Sequence, residues 1–408
     1  MATAPAQAAE RRSPCAPDGG DAWDYANRDG KRRDERRRER FDALRALWDF
    51  STLERVRKCR RVPHNSHVSL NLREDGTAEF GGLTSCGSVW ACPRCSARIW
   101  AERGDDLTRA LDTWHEMGGS VAMVTLTMRH HAGQRLEDLW SALSGAWAAA
   151  ASQNRKVRRL QNELGVYGWT RVVEVTHGSG AGWHVHTHAL MFMAPPCELP
   201  RGAQQDAERA SAAATRLGDA MFEGWSLKLQ AAGLDAPIKD KGGLDVRALD
   251  LTNAREAVAS YQVKATYERA AYELTGNAGK DARMGNRTPW GILRAFVQNG
   301  DCADLALWQE WEAGSKGRRA LTWSRGLRAL LALDAERADD EIAEDESQGA
   351  VLVGLVAKDD WAKVCAMRHA PARLLEALEG AAERASAWVA ATALLCEWGL
   401  SPPSLSPP

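Results

Sequence analysis

Alternating apolar and polar positions, the pattern of strands with one buried face, recur between residues 67 and 249. They predict six strands, at 67–72, 77–82, 120–128, 169–176, 183–193 and 244–249. The turn REDG joins the first two strands, and the glycine-rich turn HGSGAG joins the fourth and fifth. Short turns of this kind connect antiparallel neighbours, so the pattern favours an antiparallel sheet.

Apolar residues at helical spacing separate these strands. They predict helices at 31–60, 96–117, 134–162, 202–232 and 253–275. The pattern beyond residue 300 is helical and acidic and ends in a Pro/Ser tail, whereas residues 1–30, rich in Ala, Pro and Gly, are predicted to be disordered. The elements together predict an α+β fold, with an antiparallel sheet covered by helices on one face.

Composition bounds the class of protein. The 408 residues have a net charge of −1 and an apolar fraction of 44%, which is typical of a globular protein. The N-terminus lacks the apolar core of a signal peptide, and no apolar run is long enough to span a membrane. We therefore expect a cytoplasmic protein with no membrane partner.

The charge is unevenly distributed along the chain. Basic clusters lie at 31–40, 55–61, 155–159 and 316–319, and an acidic stretch lies at 334–347. A single charged run is usually a solvated helix face. Several basic runs, in a chain that also carries the motifs below, favour the phosphate backbone of a nucleic acid as a partner.

Three histidines at alternate positions, His184, His186 and His188, share one face of the predicted strand 183–193. The turn centred near residue 180 places Glu174 of the preceding strand opposite His186. A carboxylate in an apolar strand is costly unless it is paired or binds a metal. Two imidazoles and one carboxylate would leave open coordination positions, as a catalytic metal site requires. The alternative is a set of histidines that are hydrogen-bonded individually.

Four cysteines near the N-terminus, Cys59, Cys86, Cys92 and Cys95, have the composition of a structural zinc site. The last two form a C-P-R-C knuckle. His64 and His67 are nearby and could replace Cys59, and free thiols are the alternative. The chain has nine cysteines and no secretion signal, which argues against a disulfide framework.

The segment SYQVK places Tyr261 and Lys264 three residues apart on one face of a predicted helix. A phenol is a poor nucleophile, but a metal-polarised phosphate and a nearby ammonium would both assist it. Tyr267 faces away from Tyr261, and Tyr272 lies about 16 Å further along the axis. On spacing alone, structural tyrosines are the more common interpretation.

Taken in order, three segments resemble the motifs of the replication initiator (Rep) proteins of rolling-circle plasmids, particularly the actinomycete type, in the HUH endonuclease superfamily. The three segments are MVTLTMRH, GWHVHTHALMF and SYQVK. The cysteine cluster and KGRRALTWSRGLR are also similar to segments of that family. The resemblance covers about residues 55 to 330.

The resemblance implies a ferredoxin-like HUH domain that nicks one strand of plasmid DNA at the double-strand origin. Tyr261 would attack the scissile phosphodiester and become linked to the 5′ phosphate, leaving a 3′-OH for the host polymerase. His186 and His188, with Glu174, would bind Mg²⁺ or Mn²⁺, and Lys264 would assist. Lacking a helicase motif, the protein would also need a host helicase.

Two features depart from the family pattern. The literal His–hydrophobe–His is His184–Val185–His186, whereas the family's placement selects His186 and His188, which leaves His184 as an alternative ligand. Some relatives carry a glutamate one helical turn before the tyrosine, where this chain has Ala257. Glu256 points elsewhere on the helix, and Glu268 lies about 10 Å along the axis, so the residue that activates water at termination stays open.

The sequence thus predicts four parts. They are a disordered and basic helical segment at 1–50, a zinc-binding segment and helix at 51–117, an HUH nicking domain at 118–300, and a helical C-terminal region at 301–408. Two other functions stay open: a zinc-containing nucleic-acid-binding module without catalysis, in which Tyr261 is dispensable, and another HUH nickase, such as a transposase or relaxase.

Overall fold

A computed structural model describes residues 22–194, 203–250, 253–258, 286–344, 349–381 and 383–405. The strands, in chain order, are β1 (His67–Leu72), β2 (Ala78–Gly81), β3 (Ser120–Thr127), β4 (Val166–Gly178), β5 (Gly182–Met193), β6 (Leu244–Leu249), β7 (Asn286–Arg287), β8 (Leu321–Trp323) and β9 (Val351–Ala357). All six strands predicted from the alternating pattern are therefore present.

The helices begin with α1 (Ala22–Phe50), α2 (Glu54–Lys58), α3 (Pro93–Glu116), α4 (Leu136–Ala148), α5 (Arg155–Glu163) and α6 (Ala203–Ala231). Residues 253–258 are also helical. The C-terminal third contains α7 (Pro289–Asn299), α8 (Cys302–Ser315), α9 (Leu327–Leu330), α10 (Asp339–Glu344), α11 (Lys358–Ala366), α12 (Ala370–Glu379) and α13 (Arg384–Glu397).

The large sheet has the order β6-β3-β5-β4-β7, with β8 pairing with β4 as well. Every pairing in it is antiparallel. β5 lies in the middle, and its last five residues, from Ala189 to Met193, are buried on both faces. This arrangement confirms the predicted α+β class with an antiparallel sheet.

Helices cover both faces of this sheet, so the expectation that they lie on one face is wrong. α6 packs against the face that carries Val246, because a Cβ on its Gly218 would meet the Val246 side chain at 2.3 Å. α3 lies over the other face, where the Trp114 ring contacts Phe192 with centroids 5.9 Å apart. Phe192 has the same parity in β5 as the three histidines, so α3 borders the histidine face.

Two predicted helices are interrupted. The helix expected at 134–162 ends as α4, passes through a π-helical turn (Ala149–Gln153) and restarts as α5. The restart is caused by Asn154, whose side chain accepts hydrogen bonds from the backbone N–H groups of Lys156 and Val157. The helix expected at 31–60 is likewise divided into α1 and α2. α1 already begins at Ala22, so the disorder predicted for 1–30 is wrong from there on, and residues 1–21 lie outside the described part.

A second sheet, of order β2-β1-β9, joins the two ends of the described chain. The predicted helical C-terminal region is confirmed by α8 to α13, but it also contains an unpredicted strand, β9, which pairs antiparallel with β1, for example Val356 with Val68. β8 is a second strand in that region. The four-part division of the chain stays a prediction. No helix among the described residues is long and apolar enough to cross a membrane.

Candidate metal centres

The histidine row lies in the central strand of the large sheet. Glu174 on β4 is directly opposite His186 on β5, as the position of the turn predicted. Opposed residues of an antiparallel pair point to the same face. Val185 and Thr187, between the histidines, point to the other face and are fully buried. The two long strands therefore hold the carboxylate and the imidazoles on a rigid surface.

Glu174, His186 and His188 form a compact cluster. The Glu174 Oε2 atom lies 3.2 Å from His188 Nε2 and 3.6 Å from His186 Nε2. One ligand atom from each of the three residues lies within 4.8 Å of the others. The side chains are only 12–18% exposed, so the cluster is recessed but still reached by solvent. Two imidazoles and one carboxylate suit a divalent cation.

Hydrogen bonds favour His188 Nε2 as a metal ligand. Thr125 Oγ1, on the neighbouring strand β3, lies 2.9 Å from His188 Nδ1. A metal-binding imidazole commonly uses its second nitrogen in this way, which fixes the ring and its tautomer. His186 Nδ1 is buried with no hydrogen-bond partner among the described residues. A neutral imidazole has one protonated nitrogen and one with a free lone pair, so His186 would bind a cation through Nε2, which faces Glu174, when its proton is on Nδ1.

His184 lies outside this cluster. Its ring stacks on His186 with centroids 4.8 Å apart, and on His130 with centroids 5.0 Å apart. Burial, then the neighbouring His186 and His130, lower the pKa of His184 to about 4. His184 is therefore neutral near pH 7 and adds no positive charge that would repel a cation at His186.

The four cysteines form the second cluster. The Cys59 Sγ lies 3.6 Å from Cys92 Sγ and 3.7 Å from Cys95 Sγ, which is 3.7 Å from Cys86 Sγ. Tetrahedral zinc with Zn–S bonds of about 2.3 Å would hold its sulfurs about 3.8 Å apart. All four side chains are buried. The cluster thus fits a closed structural zinc site.

Local structure positions these thiols. Cys59 follows the last turn of α2, and Cys92 is the N-cap of α3, with its Sγ accepting from the Cys95 N–H. Hydrogen bonds with the other three thiols hold the pKa of Cys95 well below its usual range, whereas burial and hydrogen bonds raise the pKa of Cys92. One thiol of the cluster therefore ionises ahead of the others. Neither His64 nor His67 is part of the cluster.

Comparison with known proteins then decides the family. A family model described as "Replication protein" matches residues 84–197, which contain three of the four clustered cysteines and the histidine row. The chain is 30% identical to "Protein rep" of Streptomyces lividans over 334 residues, which is 70% of this chain and 73% of that protein. The chain belongs to the Rep family of replication proteins. The resemblance to actinomycete rolling-circle plasmid initiators is therefore confirmed.

The match to a second relative covers fewer residues. A protein of Streptomyces cyanogenus named "Neomycin resistance protein" is 34% identical over 150 residues, which is 31% of this chain and 34% of that protein. No solved structure matches the chain. As a Rep family member, the chain acts in the initiation of plasmid replication and interacts with origin DNA.

The predicted nucleophile of this Rep family member, Tyr261, lies outside the described residues, as do Lys264, Tyr267, Tyr272 and Glu268. The helical residues 253–258 that precede them are described. Arg255 donates two hydrogen bonds of 2.6 and 2.9 Å to Asp112 of α3, and Ala254 and Val258 are buried. This segment is therefore joined to α3, the helix that borders the histidine face.

The sequence interpretation missed Thr125. Thr125 is a polar residue in the apolar strand MVTLT, which could have marked it as functional. Its role becomes clear only from the pairing of β3 with β5, which sets Thr125 opposite His188. The histidine of the first motif, His130, was also not singled out, although it stacks on His184.

Replacing Thr125 with Val should weaken Mn²⁺ binding by about 10–100-fold, the usual effect of losing a group that orients a metal ligand. The change keeps the shape of the side chain and removes the hydrogen bond to His188 Nδ1. Titration calorimetry with Mn²⁺ measures the effect. Thr176→Val, opposite His184, is the matched control and should bind Mn²⁺ as the wild type does. Equal affinities for both variants would show that Thr125 does not position the ligand.

Proposed function

We propose that this Rep family member nicks one strand of plasmid DNA at its origin by metal-dependent transesterification. The observation that carries the proposal is the approach of Glu174 to His186 and His188 on adjacent central strands. Two imidazoles and a carboxylate, partly open to solvent, are suited to a catalytic rather than a structural cation. The family match and the position of the tyrosine motif support the same reaction.

The residues would divide the work as follows. Glu174, His186 and His188 would hold Mg²⁺ or Mn²⁺, and the carboxylate would offset part of the positive charge. The cation, when bound, polarises the scissile phosphate and stabilises the charge that develops on it. Thr125 keeps the His188 ring in place, and His184, neutral near pH 7, supports the His186 ring by stacking.

The phenol oxygen of Tyr261 attacks the phosphorus as its proton passes to solvent. The bond from phosphorus to the 3′ oxygen breaks, and that oxygen leaves as a 3′-OH after taking up a proton. The 5′ phosphate stays on Tyr261 as a phosphodiester, so the number of phosphoester bonds does not change. Lys264 would lower the cost of the phenolate and of the charge on the phosphate. A host polymerase extends the 3′-OH, and a host helicase unwinds the template.

The cysteine cluster would take no part in this chemistry. Four thiolates fill a tetrahedral zinc ion and leave no open position. A zinc ion at Cys59, Cys86, Cys92 and Cys95 would instead join α2 to the start of α3. We assign it a structural role for the N-terminal segment.

A covalent-adduct assay tests the proposal. The protein is incubated with Mn²⁺ and labelled oligonucleotides tiling the DNA around its own gene, and the products are separated on a denaturing gel. We expect a protein band that carries the label only when the label lies 3′ of the cut, because the enzyme retains the 5′ phosphate. Free product from the other side of the cut should be extendable by a polymerase.

The outcomes separate the alternatives. Tight DNA binding with no adduct from any oligonucleotide would favour the zinc-containing binding module without catalysis. An adduct formed only at the ends of a mobile element or at a transfer origin would favour another HUH nickase. An adduct at a site within its own plasmid, followed by strand extension, supports the replication nickase.

A further inference from the structure

A cleft of about 610 Å³ lies beside the cysteine cluster. Four separate parts of the chain line it: residues 52–56 around the start of α2, residues 86–90 of the cysteine loop, residues 315–319 at the end of α8, and Asp339 of α10. The metal cluster on β4 and β5 contributes none of these residues. The cleft is therefore a second site, not part of the proposed catalytic centre.

Basic side chains outnumber acidic ones in the lining of this cleft. Arg55, Lys316, Arg318 and Arg319 line it, and Arg55, Lys316 and Arg319 have no ion pair within the described ranges. The two acidic side chains of the lining are already engaged. Glu54 binds Lys58 at 2.6 Å, and Asp339 binds Arg103 at 3.1 Å. The cleft thus offers uncompensated positive charge to an anion.

The other basic clusters lie among acidic side chains. In the cluster at 31–40, Arg37 and Arg38 bind Glu379 and Glu376 of α12, at 2.6 and 2.5 Å. The cluster at 155–159 borders Glu163, Asp219 and Glu223, and Lys156 binds Glu223 at 2.6 Å. The clusters at 55–61 and 316–319, far apart in the sequence, are the ones that meet at the cleft.

Fixed walls surround the cleft. The fully buried Glu312 of α8 accepts hydrogen bonds from Ser51 Oγ and from the backbone N–H and Oγ1 of Thr52, at 2.6–2.8 Å. The indole N–H of Trp90 donates to the carbonyl oxygen of Arg318 at 2.7 Å. The first contact joins the segment before α2 to α8, and the second joins the cysteine loop to residues 315–319. A site held in this way loses little entropy when a ligand binds.

The cleft lies on the β4 side of the large sheet. Trp90 lines the cleft, and it also lines a small cavity of about 40 Å³ at the edge of β4, where Glu174 is another lining residue. β4 is the strand that supplies the carboxylate of the metal cluster. The cleft and the metal cluster therefore both border β4.

We propose that this cleft binds a nucleotide of the single-stranded DNA that is to be cut, with its phosphates at Arg55, Lys316 and Arg319. Its volume is that of a small-molecule pocket, which suits one flexible nucleotide and not a duplex. Proteins that bind single strands commonly combine such a cationic groove with an aromatic side chain, here Trp90. The link to cleavage rests on the nicking function proposed above, but the binding itself does not.

The test compares two triple variants with the wild type. Arg55→Gln/Lys316→Gln/Arg319→Gln removes the cleft charges, and Arg155→Gln/Arg158→Gln/Arg159→Gln removes as many charges from another basic cluster. Fluorescence anisotropy measures the affinity for a short single-stranded oligonucleotide of mixed sequence and for the matching duplex, over a range of salt, without Mg²⁺ or Mn²⁺. Zinc content and thermal unfolding show whether each variant is folded.

The cleft variant should lose single-strand affinity by at least about tenfold, and its slope of log affinity against log salt should fall by about 1.4, as the two phosphates that flank one nucleotide predict. The control variant should keep the wild-type slope. A cleft variant with wild-type affinity and slope would overturn the proposal, as would an equal loss in the control. An equal loss of duplex binding would contradict a site for a single strand.

This design separates the two proposals. Binding is measured without the cations that cleavage needs, so a wild type that forms no tyrosine adduct would leave the cleft result intact. Conversely, a cleft variant that binds normally leaves the adduct assay unaffected.

Discussion

Replacing Tyr261 with Phe should abolish the covalent DNA adduct while changing DNA affinity by no more than about twofold. The reason is that phenylalanine keeps the ring but has no oxygen with which to attack phosphorus. A reaction whose covalent bond is formed by one atom loses that product entirely when the atom is removed. The denaturing gel measures the adduct, and fluorescence anisotropy on the same oligonucleotide measures the affinity.

Tyr267→Phe and Tyr272→Phe are the matched controls, because they remove the same hydroxyl from the same predicted helix and should still form the adduct. His186→Ala should slow adduct formation by about 10²–10³-fold, the usual cost of losing one element of charge stabilisation in the transition state. If the adduct persists in Tyr261→Phe and disappears in a control variant, the nucleophile is that other tyrosine.

Replacing Cys92 with Ser should remove zinc from the protein and lower the thermal unfolding midpoint by about 10 °C or more. Cys92 is buried, caps α3 and lies 3.6 Å from Cys59 Sγ, so its loss opens one of four ligand positions. Structural zinc contributes its binding energy to folding, and loss of such a metal is among the few single changes that cost more than about 4 kcal/mol. Metal analysis and differential scanning fluorimetry measure the two effects.

Cys365→Ser is the matched control, because Cys365 is also a buried thiol but lies outside the cluster. It should retain about one zinc ion per chain and unfold within a few degrees of the wild type. Equal zinc content in the two variants would argue for free thiols. If Cys92→Ser retains zinc and a substitution of His64 or His67 loses it, the zinc ligands include that histidine and not Cys92.

The metal cluster was predictable from the sequence because, in a hairpin, the spacing of residues around the turn determines which residues face each other. The turn at 177–182 fixes the register of β4 and β5, so Glu174 opposite His186 follows from counting residues. The partner of His188 could not be obtained in this way. Thr125 belongs to a strand more than fifty positions earlier, and local spacing does not fix the register between two strands so far apart in sequence.

The fold shows the same division between local and distant contacts. Alternating strands and long helices were correctly identified, since their periods are properties of the segment itself. β9, the short apolar run VLVGLVA, has too few residues for its period to decide between strand and helix, and its partner β1 is at the other end of the chain. Similarly, the composition of the four basic clusters could not show which arginines are paired with acids, because Glu376 and Glu379 are far from Arg37 and Arg38 in sequence.

The pairing of β9 with β1 has a consequence for synthesis on the ribosome. β1 and β2 emerge early, but β1 is the middle strand of their sheet and its second edge is filled only by residues 351–357. All strands of the large sheet are translated in between. During that time the N-terminal hairpin presents an unpaired strand edge, the kind of surface that favours aggregation of a nascent chain. A chain truncated before β9 would leave that edge unpaired permanently. Completion of the N-terminal sheet therefore depends on a strand from the last quarter of the chain.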